Sequence, residues 1–321
     1  MVAVVGGGYG GITVAKALDS VADVVLVEPR DTFVHNVAAL RGVVDPAWAE
    51  RLFIPYGGLL ERGRVVRGRA ASIEGTTVVL ESGERLEADY VVIATGSTHA
   101  FPAKIEEIDS ERARMRLQDA HLELAAASSV LLVGAGPVGL EFAGEIKAAW
   151  PDKRVTVTDT QTDLLSGRFP EEFRAEVRRQ LDELGIEVVL GAAPSGDFDL
   201  RFACFAPAQR PGREVTPELR VVGEERVFAI GDANDVPEMK TARHAQFQAE
   251  VVAANITAMI EGRADLAAYA PSPDAIVLPL GPKAGVSYAP EVGVLGVEAT
   301  VDIKGTLFVE MYEELLGLVT A

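Results

Sequence analysis

Cysteine is almost absent from this chain of 321 residues, since Cys204 is the only one. A single thiol cannot close an internal disulfide, and no C-x-x-C pair is available for dithiol chemistry or for a zinc site. The sequence also contains no Ser/His/Asp arrangement and no set of residues with metal-ligand spacing. We therefore expect a cytoplasmic protein that holds no metal and is not a disulfide reductase.

Long apolar runs are missing as well. No run approaches the roughly 18 residues from which a transmembrane helix is recognised, and Val2 stands where N-myristoylation requires glycine. Met1 to Val5 lead directly into a strand pattern, without the basic and apolar regions of a secretory signal. We expect neither secretion nor a membrane span, which leaves peripheral contact as the only form of membrane association.

Positive charge is scarce: 30 Lys and Arg face 48 Asp and Glu, which gives a formal net charge of −18. Such a chain repels phosphate backbones and anionic headgroups, which argues against nucleic acid as a partner. The hydrophobic content of 48% is enough to fill real cores, and the length suits about two domains of about 150 residues each.

What the sequence does contain is one pattern that occurs twice, at residues 1–28 and 128–159. Each copy has an apolar run, a glycine-rich turn, an amphipathic helix and a second apolar run that ends in an acid. The repeat predicts two dinucleotide-binding units.

In the first unit, Gly6, Gly8 and Gly11 form G-x-G-x-x-G, and Glu28 ends the second strand. The first glycine permits the tight turn, the second lets the backbone approach a pyrophosphate, and the third lets the helix pack close to the sheet. Glu28 can accept hydrogen bonds from ribose hydroxyls, and the helix N-terminus attracts phosphate. A glycine turn that binds nothing is the alternative, but strand, helix and terminal acid together favour a cofactor site.

The second unit has Gly134, Gly136 and Gly139, and Asp159 ends its second strand. An acid there binds an adenosine ribose 2′-hydroxyl and repels a 2′-phosphate, so NADH is preferred. NADPH is also allowed, because Arg154 or Arg168 could approach a phosphate from outside the motif. The alternative is a degenerate copy that keeps the fold without binding a nucleotide.

Several further motifs support a family resemblance. They are ATG (94–96), VFAIGD (227–232), KTARHAQFQAEVVAANI (from Lys240), HNVAALR (35–41), TGSTHAFPAK (95–104) and GLEFAGEIKAAWPDK (139–153). With these motifs the chain resembles the flavoproteins with two dinucleotide-binding domains. Within them it is similar to the apoptosis-inducing-factor-like, ferroptosis-suppressor-type NAD(P)H:quinone oxidoreductases related to type II NADH dehydrogenases.

The resemblance implies an α/β fold with two Rossmann-like dinucleotide-binding domains, one for FAD and one for NAD, and a small C-terminal α+β domain. The FAD-binding domain is expected to be discontinuous, over residues 1–103 and 224–265. The NAD(P)H-binding domain is expected over 104–223 and the C-terminal domain over 266–321.

The resemblance also implies site residues. Those expected to bind FAD are Gly6, Gly8, Gly10, Gly11, Glu28, Pro29, Arg30, His35, Asn36, Arg41, Ala94, Thr95, Gly96, Gly231, Asp232, Lys240, Thr241 and Ala242. Those expected to bind the nicotinamide nucleotide are Gly134, Gly136, Val138, Gly139 and Asp159. Glu141 and Lys240 are the candidate catalytic residues, as proton donors. The alternatives are a helix cap for Asp232, a solvated helix acid for Glu141, and ordinary loop residues for Lys240 and His35.

The function implied is an FAD-dependent oxidoreductase that takes a hydride from NADH, or NADPH, and reduces a quinone or a similar small acceptor. One alternative is a reductase of a small iron-sulfur protein of the ferredoxin or rubredoxin type. Another is an NADH-sensing flavoprotein with slow turnover that acts through protein interactions. A homodimer is left open.

Local patterns give further expectations. We predict helices over Ala47–Arg62, 105–127, 171–184 and 241–261, and strands over 71–80, 86–94 and 186–190. Residues 191–219 are shorter than in the family, which usually has a β-hairpin there and an ATG-like turn where this chain has FAP (205–207). The tail from Leu266 is predicted to be small β-structure with a short amphipathic end, FVEMYEELLGL.

Overall fold

Two parallel sheets, one from each glycine-rich unit, form the framework of the chain. The structure is a computed structural model that describes residues 1–205 and 211–318. The first sheet has five strands and the second has four, and helices accompany both. A small antiparallel sheet with two helices follows. The predicted α/β class, with two Rossmann-like units and a small C-terminal domain, is confirmed.

The first unit is built on a central strand that is buried on both faces. Parallel strands flank residues 2–5 at both edges, and apolar clusters cover both faces, with Val2 and Val4 in one cluster and Ala3 and Val5 in another. This burial on both faces explains the continuous apolar run. The elements of this region are β1 (Val2–Val5), α1 (Tyr9–Leu18), β2 (Val24–Glu28), β3 (Thr32–Val34), α2 (Ala39–Val44), α3 (Pro46–Arg51), β4 (Phe53–Pro55), β5 (Arg64–Arg67), β6 (Ala70–Glu74), β7 (Thr77–Leu80), β8 (Arg85–Glu87) and β9 (Tyr90–Ile93).

The second unit repeats this plan. Its central strand lies between two parallel neighbours, and Pro137 starts the following helix at a position where its missing N–H costs no hydrogen bond. The elements are α4 (Ser110–Ala126), β10 (Ser129–Val133), α5 (Pro137–Ala149), β11 (Arg154–Asp159), α6 (Glu171–Glu183), β12 (Ile186–Leu190) and β13 (Leu200–Ala203).

The chain then returns to the first sheet. The strand β14 (Val227–Ala229) pairs in parallel with β9, which gives the sheet order β14-β9-β1-β2-β5. The helix α7 (Ala242–Ile260) packs on α1 at Gly10, where an added Cβ would lie 3.1 Å from the Ala245 carbonyl oxygen. The close approach of these two helices accounts for this glycine.

The C-terminal region contacts both units. It comprises β15 (Ile276–Pro279), β16 (Gly285–Ala289), β17 (Gly293–Leu295), α8 (Val297–Lys304) and α9 (Val309–Leu315). On the second unit, α5 approaches so closely that a Cβ at Gly144 would lie 2.3 Å from the Leu280 carbonyl carbon. On the first unit, a Cβ at Gly58 would lie 2.5 Å from the Leu316 carbonyl oxygen. Glycine at these two points lets the C-terminal region lie across both units.

Two local predictions are wrong. The helix predicted over Ala47–Arg62 ends at Arg51, because Phe53–Pro55 forms β4 and pairs with β3. The single strand predicted over 71–80 is a hairpin of β6 and β7 that turns at Gly75, whose φ is +58°. The tail does form a small sheet and the amphipathic end is α9, but the sequence analysis did not foresee α8.

In the second unit, the segment between β12 and β13 contains no antiparallel hairpin, and the parallel sheet is intact. In the first unit, the antiparallel strands β6, β7 and β8 stand between β5 and β9. In the second unit, only residues 191–199 separate β12 from β13, yet β13 pairs with β10 over four residues. The FAP turn lies largely outside the described residues, at positions 206 and 207.

Candidate functional site

The glycine loop of the first unit forms a cradle with one open side. A Cβ at Gly11 would lie 1.8 Å from the Gly6 carbonyl oxygen, so the first turn of α1 sits tightly against the end of β1. Gly8 is exposed, and no atom lies within 4 Å of an added Cβ. Glu28 is 3% exposed, and its Oε2 accepts a hydrogen bond from the Gly7 N–H (2.6 Å). Backbone donors at a helix N-terminus beside an open face suit a pyrophosphate.

The loop of the second unit has the same geometry. A Cβ at Gly139 would lie 2.0 Å from the Gly134 carbonyl oxygen, and nothing lies within 4 Å of a Cβ at Gly136. Asp159 Oδ2 accepts from the Ala135 N–H (2.8 Å), as Glu28 does from Gly7. The second loop therefore keeps the tight turn, the open face and the acid–amide hydrogen bond of the first.

A cleft of about 670 Å³ opens at the carboxyl ends of β1, β9 and β14. Open parallel sheets bind ligands at this edge, and the volume falls within the range of about 300–1,000 Å³ usual for cofactor pockets. Its lining residues are Val5, Ala70, Ala71, Ser72, Ile73, Ile93, Thr95, Gly96, Ser97, Thr98, Pro211, Gly212, Arg213, Asp232 and Ala233. The cleft lining contains none of the cradle residues, and the two features offer groups that FAD requires: backbone N–H donors at the cradle and the Asp232 carboxylate at the cleft.

Asp232 is part of a charged cluster at this cleft that includes Lys104, which the sequence analysis did not single out. The Lys104 ammonium donates to Ser97 Oγ (2.7 Å) and lies 3.3 Å from Asp232 Oδ2, and the Ser97 hydroxyl also donates to Asp232. Lys104 and Asp232 are 128 residues apart in the chain. Only the motif TGSTHAFPAK, which ends at Lys104, could have indicated it.

Lys240 contacts the turn that carries Asp232 through its ammonium group. Its ammonium donates to Asn234 Oδ1 (3.0 Å), to the Asn234 carbonyl (3.1 Å) and to the Gly231 carbonyl (3.4 Å). Thr241, which follows it, caps α7, with Ala242 as the first residue of that helix. A direct catalytic role for Lys240 stays a prediction, because these contacts already use its ammonium to hold the turn.

Gln248, a fully buried residue that sequence reasoning missed, supports the same turn. Its Oε1 accepts from the Gly231 N–H and from Asn234 Nδ2, both at 2.7 Å. Its Nε2 donates to Glu238 Oε1 (2.6 Å). A buried amide with all these contacts fixes the position of the turn from the side of α7.

His35 is completely buried below the first glycine loop. Its Nε2–H donates to the Leu307 carbonyl (2.8 Å), so the neutral ring accepts from the Tyr9 hydroxyl at Nδ1 (3.2 Å). The same hydroxyl accepts from the Val37 N–H (2.9 Å). Burial lowers the pKa of His35 to about 4, against the opposing effect of its bond to Leu307. His35 links the first unit to the turn between α8 and α9.

Lowering the pH from about 7 to about 5 should destabilise the protein in part through His35. The unfolded chain binds this proton near pH 6.5, whereas the folded protein binds it only near pH 4. The contribution of His35 is therefore fully retained above the higher value and declines by up to about 3 kcal/mol as the pH falls between the two. Thermal unfolding midpoints at pH 7.5 and 5.0 check this: His35→Gln should show a smaller difference between them. An equal difference in both proteins would contradict it.

The remaining residues predicted to bind FAD are placed as follows. Arg30 contacts Glu28 Oε1 through Nη1 (3.2 Å), immediately after Pro29. Asn36 Oδ1 accepts from the Ile105 N–H (3.0 Å). The exposed Thr95 and Gly96 line the cleft, and Ala94 lies against Gly6. Arg41 does not reach the cleft, since it is buried in an ion pair with Glu145.

Glu141 lies on the first turns of α5, soon after the second glycine loop and the half-buried Val138. Its carboxylate accepts from the Lys304 ammonium (2.9 Å), and the two side chains are each only 14% exposed. Burial raises the pKa of Glu141, and the neighbouring Lys304 opposes that rise. Lys304 comes from α8, 163 residues away, and no motif in the sequence points to it.

Cys204 occupies in the second unit the position that Ala94 has in the first. A Cβ at Gly134 would lie 2.8 Å from the Cys204 carbonyl oxygen, as one at Gly6 would lie 2.4 Å from that of Ala94. The thiol is buried, which raises its pKa to about 12 and keeps it protonated. A Cβ added at Gly139 would lie 3.3 Å from the Cys204 Cβ, so the start of the helix packs against this side chain.

Residues 1–205 and 211–318 contain neither a metal-binding cluster nor a membrane-spanning helix. In these ranges, no group of three or more His, Cys, Asp or Glu side chains is arranged to hold a metal ion. In the same part of the chain, no helix is long and apolar enough to cross a membrane.

Comparisons with known proteins agree with this architecture. Residues 1–198 match the family model described as pyridine nucleotide-disulphide oxidoreductase. Ferroptosis suppressor protein 1 of Taeniopygia guttata is 31% identical over 98% of this chain and 95% of its own length. Apoptosis-inducing factor homolog B of Dictyostelium discoideum is 29% identical over 97% and 95% of the two chains. The sulfide:quinone oxidoreductase of the hyperthermophilic bacterium Aquifex aeolicus shares the fold, with a TM-score of 0.78 at 20% identity over 98% of this chain and 91% of that one.

Proposed function

This chain belongs to the pyridine nucleotide-disulphide oxidoreductase family, and from that premise we propose that it carries electrons from NADH through FAD to a small quinone. Membership confirms the predicted resemblance and the prediction of an FAD-dependent oxidoreductase that uses NAD(P)H. The quinone, the preference for NADH and the roles of individual residues are the proposed part. FAD, when bound, supplies the two-electron chemistry. The chain binds FAD and the nicotinamide nucleotide, orients them and supplies a proton to the quinone.

The observation that carries the choice of a quinone is the buried pair of Glu141 and Lys304. Reduction of a quinone to a quinol consumes the hydride of NADH and one further proton, so a group that can hold a proton is needed beside the acceptor. Burial raises the pKa of Glu141, which favours its protonated form, and Lys304 is a second donor within 2.9 Å. A sulfide:quinone oxidoreductase with the same fold agrees with this acceptor class.

The other residues at the site bind and orient FAD and the nicotinamide nucleotide. We propose that the exposed face of Gly8 receives the FAD pyrophosphate and that Glu28 accepts from its adenosine ribose. Asp232, which Lys104 and Ser97 hold in place, binds the hydroxyls of the FAD ribityl chain at the cleft. Gly136 receives the pyrophosphate of the nicotinamide nucleotide. These two sites agree with the proposed domains, which are the FAD-binding domain at 1–103 and 224–265 and the NAD(P)H-binding domain at 104–223. Residues 266–321 are the proposed C-terminal domain.

NADH should be preferred over NADPH because of Asp159. Its carboxylate lies at the end of β11, and both arginines that could bind a 2′-phosphate are already paired. Arg168 Nη2 donates to Asp274 (2.8 Å), and Arg154 lies 3.9 Å from Glu187. Asp159→Asn removes the repulsive charge and keeps one acceptor oxygen. It should lower the ratio of kcat/KM for NADH to that for NADPH by about ten-fold, or about 1.4 kcal/mol. A wild-type preference for NADPH would contradict the assignment.

The acceptor can be decided by steady-state assays. With NADH as donor, menadione should support rapid turnover, whereas a ferredoxin or rubredoxin coupled to cytochrome c should support little. An acidic iron-sulfur protein docks on a positive patch, and the net charge of −18 argues against one here. If turnover is faster with the iron-sulfur protein, that protein and not a quinone is the acceptor. Slow turnover with both, together with a change of oligomeric state on adding NADH, would favour a sensor.

The single cysteine supports a reducing compartment, and we propose the cytoplasm.

A further inference from the structure

Arg41 makes its buried contacts away from the residues that line the cleft. It lies on α2, is 5% exposed, and donates to the Glu145 carboxylate from Nε (3.1 Å) and Nη2 (2.8 Å). Its Nη1 donates to the Gly305 carbonyl (2.8 Å), and its guanidinium lies 5.1 Å from the centre of the Trp48 ring. One side chain of the first unit thus contacts both the second unit and the C-terminal region.

Both partners of Arg41 are next to the proposed proton donors. Glu145 lies four residues after Glu141 on α5, so the two carboxylates share one face of the helix. Gly305 immediately follows Lys304 at the end of α8, and a side chain there would collide with the Val301 carbonyl, 2.5 Å from its Cβ. Arg41 therefore contacts α5 and the end of α8 together.

We propose that Arg41 is a positioning residue, which holds Glu141 and Lys304 in contact by binding Glu145 on one side and the Gly305 carbonyl on the other. This inference rests on the function proposed above, because it gives Arg41 a role in proton delivery to the acceptor. It also gives Arg41 a different role from the flavin contact that the family resemblance implies.

Stability alone does not account for such a pair. Two buried charges lose their hydration, and replacing a buried ion pair by apolar residues of similar size is often neutral or stabilising. An arginine fork that binds a carboxylate through two nitrogens fixes distance and angle more strictly than apolar packing does. The ion pair between Arg41 and Glu145 therefore fixes how α2 and α5 are aligned.

The charges predict opposite effects on Glu141. The charged groups that face it are Lys304 from α8, Glu145 from its own helix and Arg41 from α2. Glu145 raises the pKa of Glu141, and Arg41 lowers it. Glu145→Gln should therefore lower that pKa, and Arg41→Met should raise it. A general loss of structure would move both variants in the same direction.

The turnover test compares two variant holoproteins with the wild type. Arg41→Met combined with Glu145→Leu removes both charges without leaving either one buried alone, so it should fold and keep FAD. Its flavin should be reduced by NADH at the wild-type rate, while kcat with menadione falls by about ten-fold or more through misplacement of the proton donor. Arg51→Met is the matched control, because Arg51 stacks on the same Trp48 ring at 5.4 Å but pairs with Glu313 on α9. Its kcat should stay within about two-fold of wild type.

The single variants Arg41→Met and Glu145→Gln are used to measure the pKa of Glu141, which does not depend on turnover. The infrared band of the protonated Glu141 carboxyl, identified by its loss in Glu141→Gln, is titrated with pH in each protein. A shift to higher pH in Arg41→Met and to lower pH in Glu145→Gln supports the proposal. Unchanged titration in both, or wild-type kcat in the double variant of an active enzyme, would overturn it. If the wild type reduces no quinone, the proposed function fails, and the titration alone then decides whether Arg41 and Glu145 act on Glu141.

Discussion

Gly8→Val is expected to give a folded but colourless protein, whereas Gly136→Val is expected to stay yellow and resist bleaching by NADH. The two glycines hold equivalent positions, at the start of α1 and α5. Neither has any atom within 4 Å of an added Cβ, so the folded chain itself has room for the larger residue. Their φ angles of −79° and −83° suit any L-residue. The added methyl groups would instead meet the pyrophosphate that each loop is proposed to bind.

Absorbance of the purified variants near about 450 nm, where flavins absorb, reports bound FAD, and circular dichroism reports folding. Gly11→Val and Gly139→Val are the contrasting controls. Their side chains would lie 1.8 and 2.0 Å from the carbonyl oxygens of Gly6 and Gly134, so these variants should lose structure as well as cofactor. A yellow Gly8→Val protein with normal reduction by NADH would show that the first loop does not bind FAD. A Gly136→Val protein that NADH bleaches at the wild-type rate would remove the second loop from the mechanism.

Glu141→Gln is expected to lower kcat with menadione by about 100-fold, the usual loss when a general acid is removed. The flavin should still be bound and should still be reduced by NADH, because hydride transfer to it requires no proton from this residue. Wild-type turnover should decline as the pH rises through the pKa of Glu141, which burial raises above its ordinary range. That decline should be absent in the variant.

Two controls separate proton delivery from loss of structure. Glu141→Gln combined with Lys304→Met removes the unpaired ammonium that the single variant leaves behind, so slow turnover in this pair cannot result from a stranded charge. Glu111→Gln, at an exposed position on α4, should behave as wild type. Unchanged kcat in Glu141→Gln would leave solvent as the proton source and remove the role proposed for Glu141.

The two dinucleotide units could be predicted from the sequence because their requirements are local. Gly6 and Gly11, and likewise Gly134 and Gly139, are fixed by contacts within a few residues of chain. The helix predicted over Ala47–Arg62 was wrong for the opposite reason. Its middle residues, Phe53–Pro55, pair with β3 at Thr32–Val34, and this tertiary pairing overrides the local helical pattern.

The candidate site was only partly predictable. Glu141 could be named from the motif that contains it, but its partner Lys304 comes from another part of the chain and from a helix that the sequence did not indicate. The same holds for the bond between Arg41 and Glu145, which spans 104 residues. Side-chain pairs of this kind are set by how the units pack, and a single sequence carries no record of that packing.

The most direct test of the account is to mix the yellow protein with NADH in the absence of oxygen, follow the flavin band, and then add menadione. We predict rapid bleaching by NADH, slower bleaching by NADPH, and immediate recovery of the band with the quinone. A flavin that neither nucleotide bleaches would contradict the account, because the second unit would then keep the fold of a nucleotide site without delivering a hydride.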